Sequence, residues 1–162
     1  MQKDIVGRIV GIGELVGTSL LCLLVDLFTK NLLFTHASSY TNFFRPIERV
    51  FTLTQFYNTG ATFSIPLPIW LLVVASIGFL AWLLVVLTRF PRWWSHHPTL
   101  ISTGFIFGGA FGNLFDRISL GYVRDWILIG QTSALNLADL FVIVGSIGLV
   151  IALTKSKARQ RA

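Results

Sequence analysis

The stretch "GNLFDRISLGYVRDW", residues 112–126, ends a long apolar run and introduces two aspartates and two arginines. Charged side chains are costly in lipid, so charges at the end of an apolar segment call for a structural or chemical reason. The stretch therefore predicts two features of the fold. An apolar helix ends here, and a polar site lies at that end.

The composition is that of an integral membrane protein. Hydrophobic residues make up 54% of the 162-residue chain and charged residues only 12%, whereas a soluble domain carries about a quarter charged residues. The length predicts a single domain over residues 1–162. The formal net charge is +6, but the basic residues lie at segment ends without forming a stripe, which favours anionic lipid over nucleic acid as a partner.

Four apolar segments are long enough to cross a bilayer, which takes about 20 helical residues. They cover residues 9–28, 67–87, 98–115 and 135–154. Lys3 and Arg8 resemble the start of a cleaved signal peptide. However, the apolar run after them is too long and no small-residue cleavage pattern follows, so we expect a retained helix.

Lysine and arginine predict the orientation, because they are enriched in cytoplasmic loops. With four spans both termini share one side, whose basic residues are Lys3, Arg8, Arg89, Arg92, Lys155, Lys157, Arg159 and Arg161. The other side has Lys30, Arg45, Arg49, Arg117 and Arg124. The side with the termini has eight basic residues and the other side has five, which predicts that both termini are cytoplasmic. Trp93 and Trp94, in the loop at residues 90–97, are predicted interfacial anchors.

Two segments, residues 34–65 and 118–134, lie on the outer side in this topology. The stretch "RVFTLTQFYNTGATFSI", residues 49–65, alternates β-branched and aromatic residues with polar ones and predicts short strands interrupted at residues 58–60. An open sheet is not stable in hydrocarbon. We therefore expect a small β-structure at the outer interface of a mainly helical membrane protein.

The polar residues of the spans are predicted to share one level, at the outer ends of the helices. They are Asp26 and Lys30 in span one, Asn113, Asp116 and Arg117 in span three, and Asn136 and Asp139 in span four. Asp26–Lys30 and Asp116–Arg117 each have a simpler interpretation as ion pairs, and Glu14 lies at the opposite end. Asp139 has no basic neighbour in the chain, so its expected partner is Asp125 in the outer loop.

Small residues follow a helical spacing in span three. Gly104, Gly108 and Gly112 recur every four residues, which lets another helix approach closely. Gly109 and Gly112 are also close enough to the polar residues to leave room for a substrate.

Two carboxyl groups at a low-dielectric boundary share one proton and can act together as general base and general acid, which is how aspartic proteases hydrolyse peptides. Ser64 with Lys30 is a weaker, serine–lysine alternative. A four-helix transporter with Asp139 as its ion site, or an assembly factor, are non-enzymatic alternatives. No histidine–cysteine cluster accompanies the single cysteine, Cys22, so neither a metal nor a cofactor is expected.

Four stretches resemble bacterial lipoprotein signal peptidase, also called signal peptidase II, in the order of that family. They are "VDLFTK" (25–30), "NTGATFS" (58–64), "GGAFGNLFDRISLGYVRDW" (108–126) and "NLAD" (136–139). The resemblance implies an aspartyl endopeptidase of the bacterial inner membrane, with four transmembrane helices and a small outer-face β-cradle. It also implies a monomer that needs no partner chain to complete its site.

The resemblance further implies the substrate and the site. The enzyme would cut diacylglyceryl-modified prolipoproteins just before the lipidated cysteine, and globomycin-type inhibitors would bind it. Asp125 and Asp139 would be the catalytic pair. The supporting positions would be Asn58, Gly60, Asn113, Asp116, Arg117, Asn136, Ala138, Asp26 and Lys30.

The chain departs from the family pattern at Thr62, Arg124, Trp126 and Leu135. Arg124 adjoins Asp125, so we expect it to act on the titration of the aspartate pair or on substrate preference.

Overall fold

The protein is described here from a computed structural model covering residues 2–35, 44–47, 51–61, 65–90, 93–94, 96–129 and 133–159. Four long helices and a small sheet follow one another along this part of the chain. In order they are α1 (Gln2–Thr35), β1 (Phe44–Ile47), β2 (Phe51–Asn58), α2 (Ile69–Arg89), α3 (His97–Leu120), β3 (Val123–Ile129), β4 (Ser133–Leu135) and α4 (Leu137–Arg159).

Within the described ranges, three helices are long and apolar enough to span a membrane. The spans are Ile5–Phe34 in α1, Ile69–Arg89 in α2 and Leu137–Lys155 in α4. Their outer faces carry large apolar side chains that are more than half exposed, as is Trp70 at 68%. A mainly helical membrane protein is thereby confirmed, and α1 extends beyond the predicted span at both ends.

The remaining helix, α3, is long enough but less apolar. Its 24 residues give a length of about 36 Å at 1.5 Å per residue, so length does not prevent it from crossing a bilayer. It carries glycines and buried polar residues because its neighbours are other helices. The crossing of α3, and with it the total of four spans, stays a prediction.

Glycines let α1 and α3 pack closely. A Cβ atom on Gly104 would lie 2.7 Å from Cβ of Thr18, and one on Gly108 would lie 2.5 Å from Cβ of Cys22. Residue numbers rise together along the contact, so the two helices run parallel. The predicted role of this glycine spacing is confirmed.

Helices α3 and α4 pack in antiparallel directions. Gly145 of α4 lies against the backbone of Ser102, while Gly109 of α3 lies against Ala138 at the start of α4. A Cβ atom on Gly109 would lie 3.0 Å from Val142, and one on Gly112 would meet the Asp26 carboxyl group. The prediction that Gly109 and Gly112 make room for a substrate is therefore wrong, because helices fill that space.

The sheet has the order β1-β2-β3-β4, with antiparallel neighbours. Strand β2 ends at Asn58, as the turn residues after it predicted, and it pairs with β3 so that Phe56 lies opposite Asp125. Asp125 therefore lies on a strand, and its predicted place in a loop is wrong. The aromatic ring of Tyr57 contacts those of Phe34 and Tyr122 edge-on, which joins the sheet to the end of α1.

An apolar cluster closes the other end of the helices. Leu15, Leu87 and Leu100 are buried there, and Trp93 and Trp94 pack against them. The two tryptophans thus contact protein on one side, and their role as interfacial anchors stays a prediction. Glu14 accepts a hydrogen bond from the ring of His97 at this end, at 2.6 Å, so it is separate from the predicted polar level.

Candidate active site

The predicted polar level exists, at the end of α1 and α3 and the start of α4. Asp26, Lys30, Asp116 and Asn136 are 0% exposed, and Asn113 is buried as well. Buried polar groups are stable only when hydrogen bonds satisfy them. Each of these side chains contacts another of the set, so their burial follows from the packing of the three helices.

Asn136 and Asp139 form a reciprocal cap at the start of α4. The backbone N–H of Asp139 donates to Oδ1 of Asn136 at 3.0 Å, and the backbone N–H of Asn136 donates to Oδ2 of Asp139 at 3.1 Å. An N-cap residue and an acidic residue three positions later satisfy each other's orphan N–H groups in this way. Local sequence therefore fixes the orientation of the Asp139 carboxyl group.

Asn113 links α3 to this cap. Its Nδ2 group donates to Oδ1 of Asp139 at 2.8 Å. Its Oδ1 atom accepts from Nδ2 of Asn136 at 2.9 Å and from Nζ of Lys30 at 3.0 Å. Both oxygens of Asp139 therefore accept an N–H group.

Asp125 approaches the cap from the sheet. It is 1% exposed, and its two oxygens accept from Nδ2 of Asn136 at 2.6 Å and from Nδ2 of Asn58 at 2.9 Å. Asn136 thus contacts both Asp125 and Asp139. We call these two carboxyl groups the aspartate pair.

The surroundings of Asp125 favour its protonated form. Burial, followed by the negative charge of Asp139, raises the pKa of Asp125 to about 7. The amides of Asn58 and Asn136 and the charge of Lys30 act in the opposite direction. A carboxyl group with this pKa carries its proton in about half of the molecules at pH 7 and in most of them below that pH, which suits a general acid.

Four charged residues form a buried ion cluster behind the pair: Asp26, Lys30, Asp116 and Arg124. Nζ of Lys30 lies 2.7 Å from Oδ2 of Asp26 and 3.2 Å from Oδ2 of Asp116. The other oxygen of Asp26 accepts the backbone N–H of Ala138 at 2.9 Å. Asp26 thereby joins the end of α1 to the start of α4, and Ala138, 0% exposed, supports the site through its backbone.

Arg124 is the unexpected member of this cluster. Its guanidinium donates to Asp116 at 2.7 Å and also contacts Oδ1 of Asn31. The prediction that Asp116 pairs with Arg117 is wrong, since its cationic partners are Lys30 and Arg124. Successive strand residues point to opposite faces, so Arg124 and Asp125 diverge and Arg124 joins the cluster.

Arg117 instead faces the aspartate pair. Its strongest electrostatic partner is Asp139, followed by Asp125 and then Asp116. Its position one turn after Asn113 on α3 brings it to the open side of the site. The sequence therefore predicted the position of Arg117 along α3 correctly, but it predicted the wrong partner, Asp116.

A cavity of about 460 Å³ opens beside Asp139, between α2, α3 and α4. Its polar lining includes Asn113, Arg117 and Asp139, and its apolar lining includes Leu72, Phe79, Val142 and Ile143. The carboxyl group of Asp139, the amide of Asn113 and the guanidinium of Arg117 thus lie at one end of an apolar cleft. That arrangement fits a substrate with a polar reacting group and an apolar remainder.

The segment after β2 forms one edge of the site. The backbone N–H of Gly60 donates to Oδ1 of Asn58 at 3.0 Å, which leaves the amide of Asn58 directed at Asp125. Ala61 lines the cavity. Thr62 and Ser64, which also belong to the predicted motif, lie outside the described residues.

Sequence reasoning missed Asn31 and the role of Arg124. No local sequence pattern indicates their contact. Asn31 is a single polar residue at a helix end, and Arg124 is 93 positions away from it in the chain. Only a contact between α1 and β3 reveals them.

Comparison with known proteins places this geometry in a family. Residues 18–155 match the family model of signal peptidase (SPase) II. The lipoprotein signal peptidase of Ectopseudomonas mendocina is 36% identical, over 85% of this chain and 86% of that protein. That of Dehalococcoides mccartyi is 33% identical, over 80% and 81%.

The fold is also similar to that of a bacterial membrane enzyme solved at 2.3 Å resolution. The TM-score is 0.73 with 24% identity, covering 91% of this chain and 92% of that one. A second bacterial membrane enzyme, solved at 1.9 Å, gives a TM-score of 0.65 with 23% identity. From the match over residues 18–155 and the identity to these relatives, the chain belongs to the signal peptidase II family.

Proposed function

We propose that this protein is an aspartyl endopeptidase that removes the signal peptide from diacylglyceryl-modified prolipoproteins, cutting just before the lipidated cysteine. The observation that carries the proposal is the convergence of Asp125 and Asp139 on one residue, Asn136. Asn136 contacts both, by way of its side chain to Asp125 and the reciprocal cap with Asp139. Family membership supports the type of substrate.

The two aspartates play different parts. Asp139 lies in the first turn of α4, where the helix dipole and the facing Arg117 stabilise a negative charge. Asp125 is buried, and its pKa of about 7 leaves a large share of the molecules with this carboxyl group protonated at neutral pH. We therefore assign the general base to Asp139 and the general acid to Asp125.

The reaction follows from that assignment. Asp139 takes a proton from water as the water oxygen attacks the scissile carbonyl carbon, and Asp125 gives its proton to the carbonyl oxygen. The tetrahedral intermediate then collapses: Asp139 passes its proton to the leaving nitrogen, the C–N bond breaks, and a hydroxyl proton returns to Asp125. Each step is general acid–base catalysis, and the pair ends as it began.

The cavity beside Asp139 is suited to a lipidated peptide. Its walls on α2 and α4 are apolar, and the adjoining helix faces are exposed to lipid. The acyl chains can remain in the bilayer while the peptide crosses the aspartate pair. Burial contributes about 0.8 kcal/mol per methylene, so the lipid can supply much of the binding free energy and hold the cysteine in register.

The placement in the membrane completes the proposal. With α3 as the fourth span, the polar site lies near the outer leaflet of the inner membrane, and both termini are cytoplasmic, as the basic residues predict. The chain acts as a monomer. We expect the segment that begins at Asn58 to close over the peptide, and globomycin-type inhibitors to bind between that segment and the pair.

The test uses purified protein and one precursor prepared with and without its diacylglyceryl group. The wild-type protein should cleave only the lipidated form. Asp125→Asn and Asp139→Asn should each abolish cleavage and remain folded, because asparagine keeps the shape but loses the titrating oxygen. Near-normal cleavage by either variant would refute the assignment of the pair, and equal cleavage of both precursors would refute recognition of the lipid.

A further inference from the structure

Lys30 is a buried cation that the proposed reaction does not use. It is 0% exposed, and its ammonium group contacts an oxygen of Asp26, of Asp116 and of Asn113. The contacts with the carboxylates of Asp26 and Asp116 are enough to balance the positive charge of Lys30. In the buried ion cluster, two carboxylates face the ammonium of Lys30 and the guanidinium of Arg124, which sums to zero.

The third contact of Lys30 has a consequence for the orientation of Asn113. An ammonium group donates hydrogen bonds and accepts none. The atom of Asn113 that faces Lys30 must therefore be its oxygen, and the NH₂ group must face the other way, toward Asp139. A flipped amide would place NH₂ against ammonium and oxygen against a carboxylate oxygen, which is repulsive at both ends.

The other two amides around the aspartate pair are fixed in the same manner by backbone N–H groups. Gly60 donates to the oxygen of Asn58, and Asp139 donates to the oxygen of Asn136. Among the three asparagines, Asn113 is the one whose oxygen accepts from a charged side chain, that of Lys30, in addition to a neighbouring amide.

Lys30 also contributes its charge to the pair. The groups that act on Asp125 include Asp139 from α4, Arg117 from α3 and Lys30 from α1. Lys30 opposes the negative field of Asp139 there. In the chain of hydrogen bonds, only Asn113 lies between Lys30 and Asp139. Both Lys30 and Asn113 are buried, so the charge acts over a short path.

We propose that Lys30 is a positioning residue for catalysis: through Asn113 it holds an N–H donor on Asp139, and its charge sets the pH range in which the aspartate pair works. This inference rests on the proposed function, since it needs Asp125 and Asp139 to be the reacting groups. It assigns a catalytic consequence to an interaction whose simpler interpretation is a helix-end ion pair.

The main test is the double variant Asp26→Asn with Lys30→Met, which removes a cation and an anion together and leaves Asp116–Arg124 intact. Asparagine at position 26 can still accept the N–H of Ala138. We expect kcat to fall about tenfold or more, with KM little changed, because a remote change that misplaces a catalytic group can cost about 10²-fold. The alkaline limit of the pH–rate profile should move up by roughly half a unit, less than the one to three units given by a charge in contact.

The matched control is Gly104→Ala. A Cβ atom there would lie 2.7 Å from Thr18 on α1, so it loosens the same helix pair far from the site. It should lower stability without moving the pH profile. If the double variant behaves like this control, losing activity only in proportion to its folded fraction, the inference is overturned.

A second variant covers the case in which the double variant does not fold. Asn113→Asp keeps an oxygen for Lys30 and Asn136 but replaces the N–H donor to Asp139 with another oxygen. It should fold, its cleavage rate should fall by about tenfold or more, and the alkaline limit of its pH–rate profile should move up. Wild-type kcat in this variant would refute the inference. If Asn113→Asp keeps the wild-type kcat while Asp125→Asn and Asp139→Asn are inactive, only this inference fails and the proposed function stands.

Discussion

Helices α2 and α3 have similar lengths, 21 and 24 residues, but opposite surroundings. In α2 the buried residues are Leu80, Leu83 and Leu87, all apolar and all in the C-terminal half of the helix. In α3 eleven residues are buried, and they include glycines, threonines, Asn113 and Asp116. Helix α2 is the most apolar of the candidate membrane spans in the described part of the chain, whereas α3 is not among them.

The difference shows what hydropathy measures in this molecule. A helix surrounded by lipid must be apolar on most of its surface, because lipid satisfies no polar group. A helix surrounded by other helices can carry small and polar residues, since neighbouring side chains satisfy them. Helix α3, which packs against both α1 and α4, accordingly carries the buried polar residues Asn113 and Asp116 of the site.

The largest effect is expected from Asp116→Asn on α3. The carboxylate contacts both Lys30 and Arg124 in a buried position, and loss of one partner of a buried ion pair costs about 3–5 kcal/mol. Thermal unfolding in detergent should show a markedly lower Tm.

Arg117→Ala is the comparison for Asp116→Asn. It leaves both ion pairs of Asp116 intact, so cleavage should fall while Tm changes little. Equal losses of Tm in the two variants would contradict the assignment of partners.

A smaller effect is expected from one methyl group at a helix contact. In Gly108→Ala the new Cβ would lie 2.5 Å from a backbone oxygen of Ser19 and from Cβ of Cys22, so α1 and α3 must separate. Overpacking of this kind costs about 1–3 kcal/mol. Thermal unfolding of this variant and of its counterpart on α2, Gly78→Ala, in the same detergent would measure the difference between the two helices.

The matched variant on α2 is Gly78→Ala. Nothing lies within 4 Å of a Cβ atom there, so the better helix propensity of alanine should stabilise the protein by about 0.5–1 kcal/mol. Equal effects at Gly78 and Gly108 would remove the proposed distinction between lipid-facing and protein-facing helices.

The smallest perturbation of the structure is a change of pH, which alters only protonation. Because the pKa of Asp125 is raised to about 7, the acid form needed for proton donation is present below that pH and is lost above it. The value of kcat/KM for a lipidated precursor should fall by about tenfold per pH unit well above the pKa. Thr88→Ala on α2, an exposed position, should keep this profile. A rate that stays constant up to pH 9 would contradict the assignment of Asp125 as the acid.

Much of the architecture follows from local patterns in the sequence. Apolar runs predicted all four long helices, although the membrane crossing of α3 stays a prediction. Polar residues at helical spacing predicted one polar level. The cap at Asn136 and Asp139 is a spacing of three residues, so it too is encoded locally. The glycines at positions 104, 108 and 112 predicted a close helix contact, although only the structure identifies α1 as the partner.

What the tertiary structure decided are the partners of the charges. The sequence placed Asp116 beside Arg117, but the fold pairs it with Lys30 and Arg124. Strand β3 was not predicted either, so Asp125 was expected in a loop. Lys30 and Asn113 are 83 positions apart, as are Glu14 and His97. Local patterns determine where a polar group lies along its own helix, whereas its partner depends on which faces meet when the helices pack.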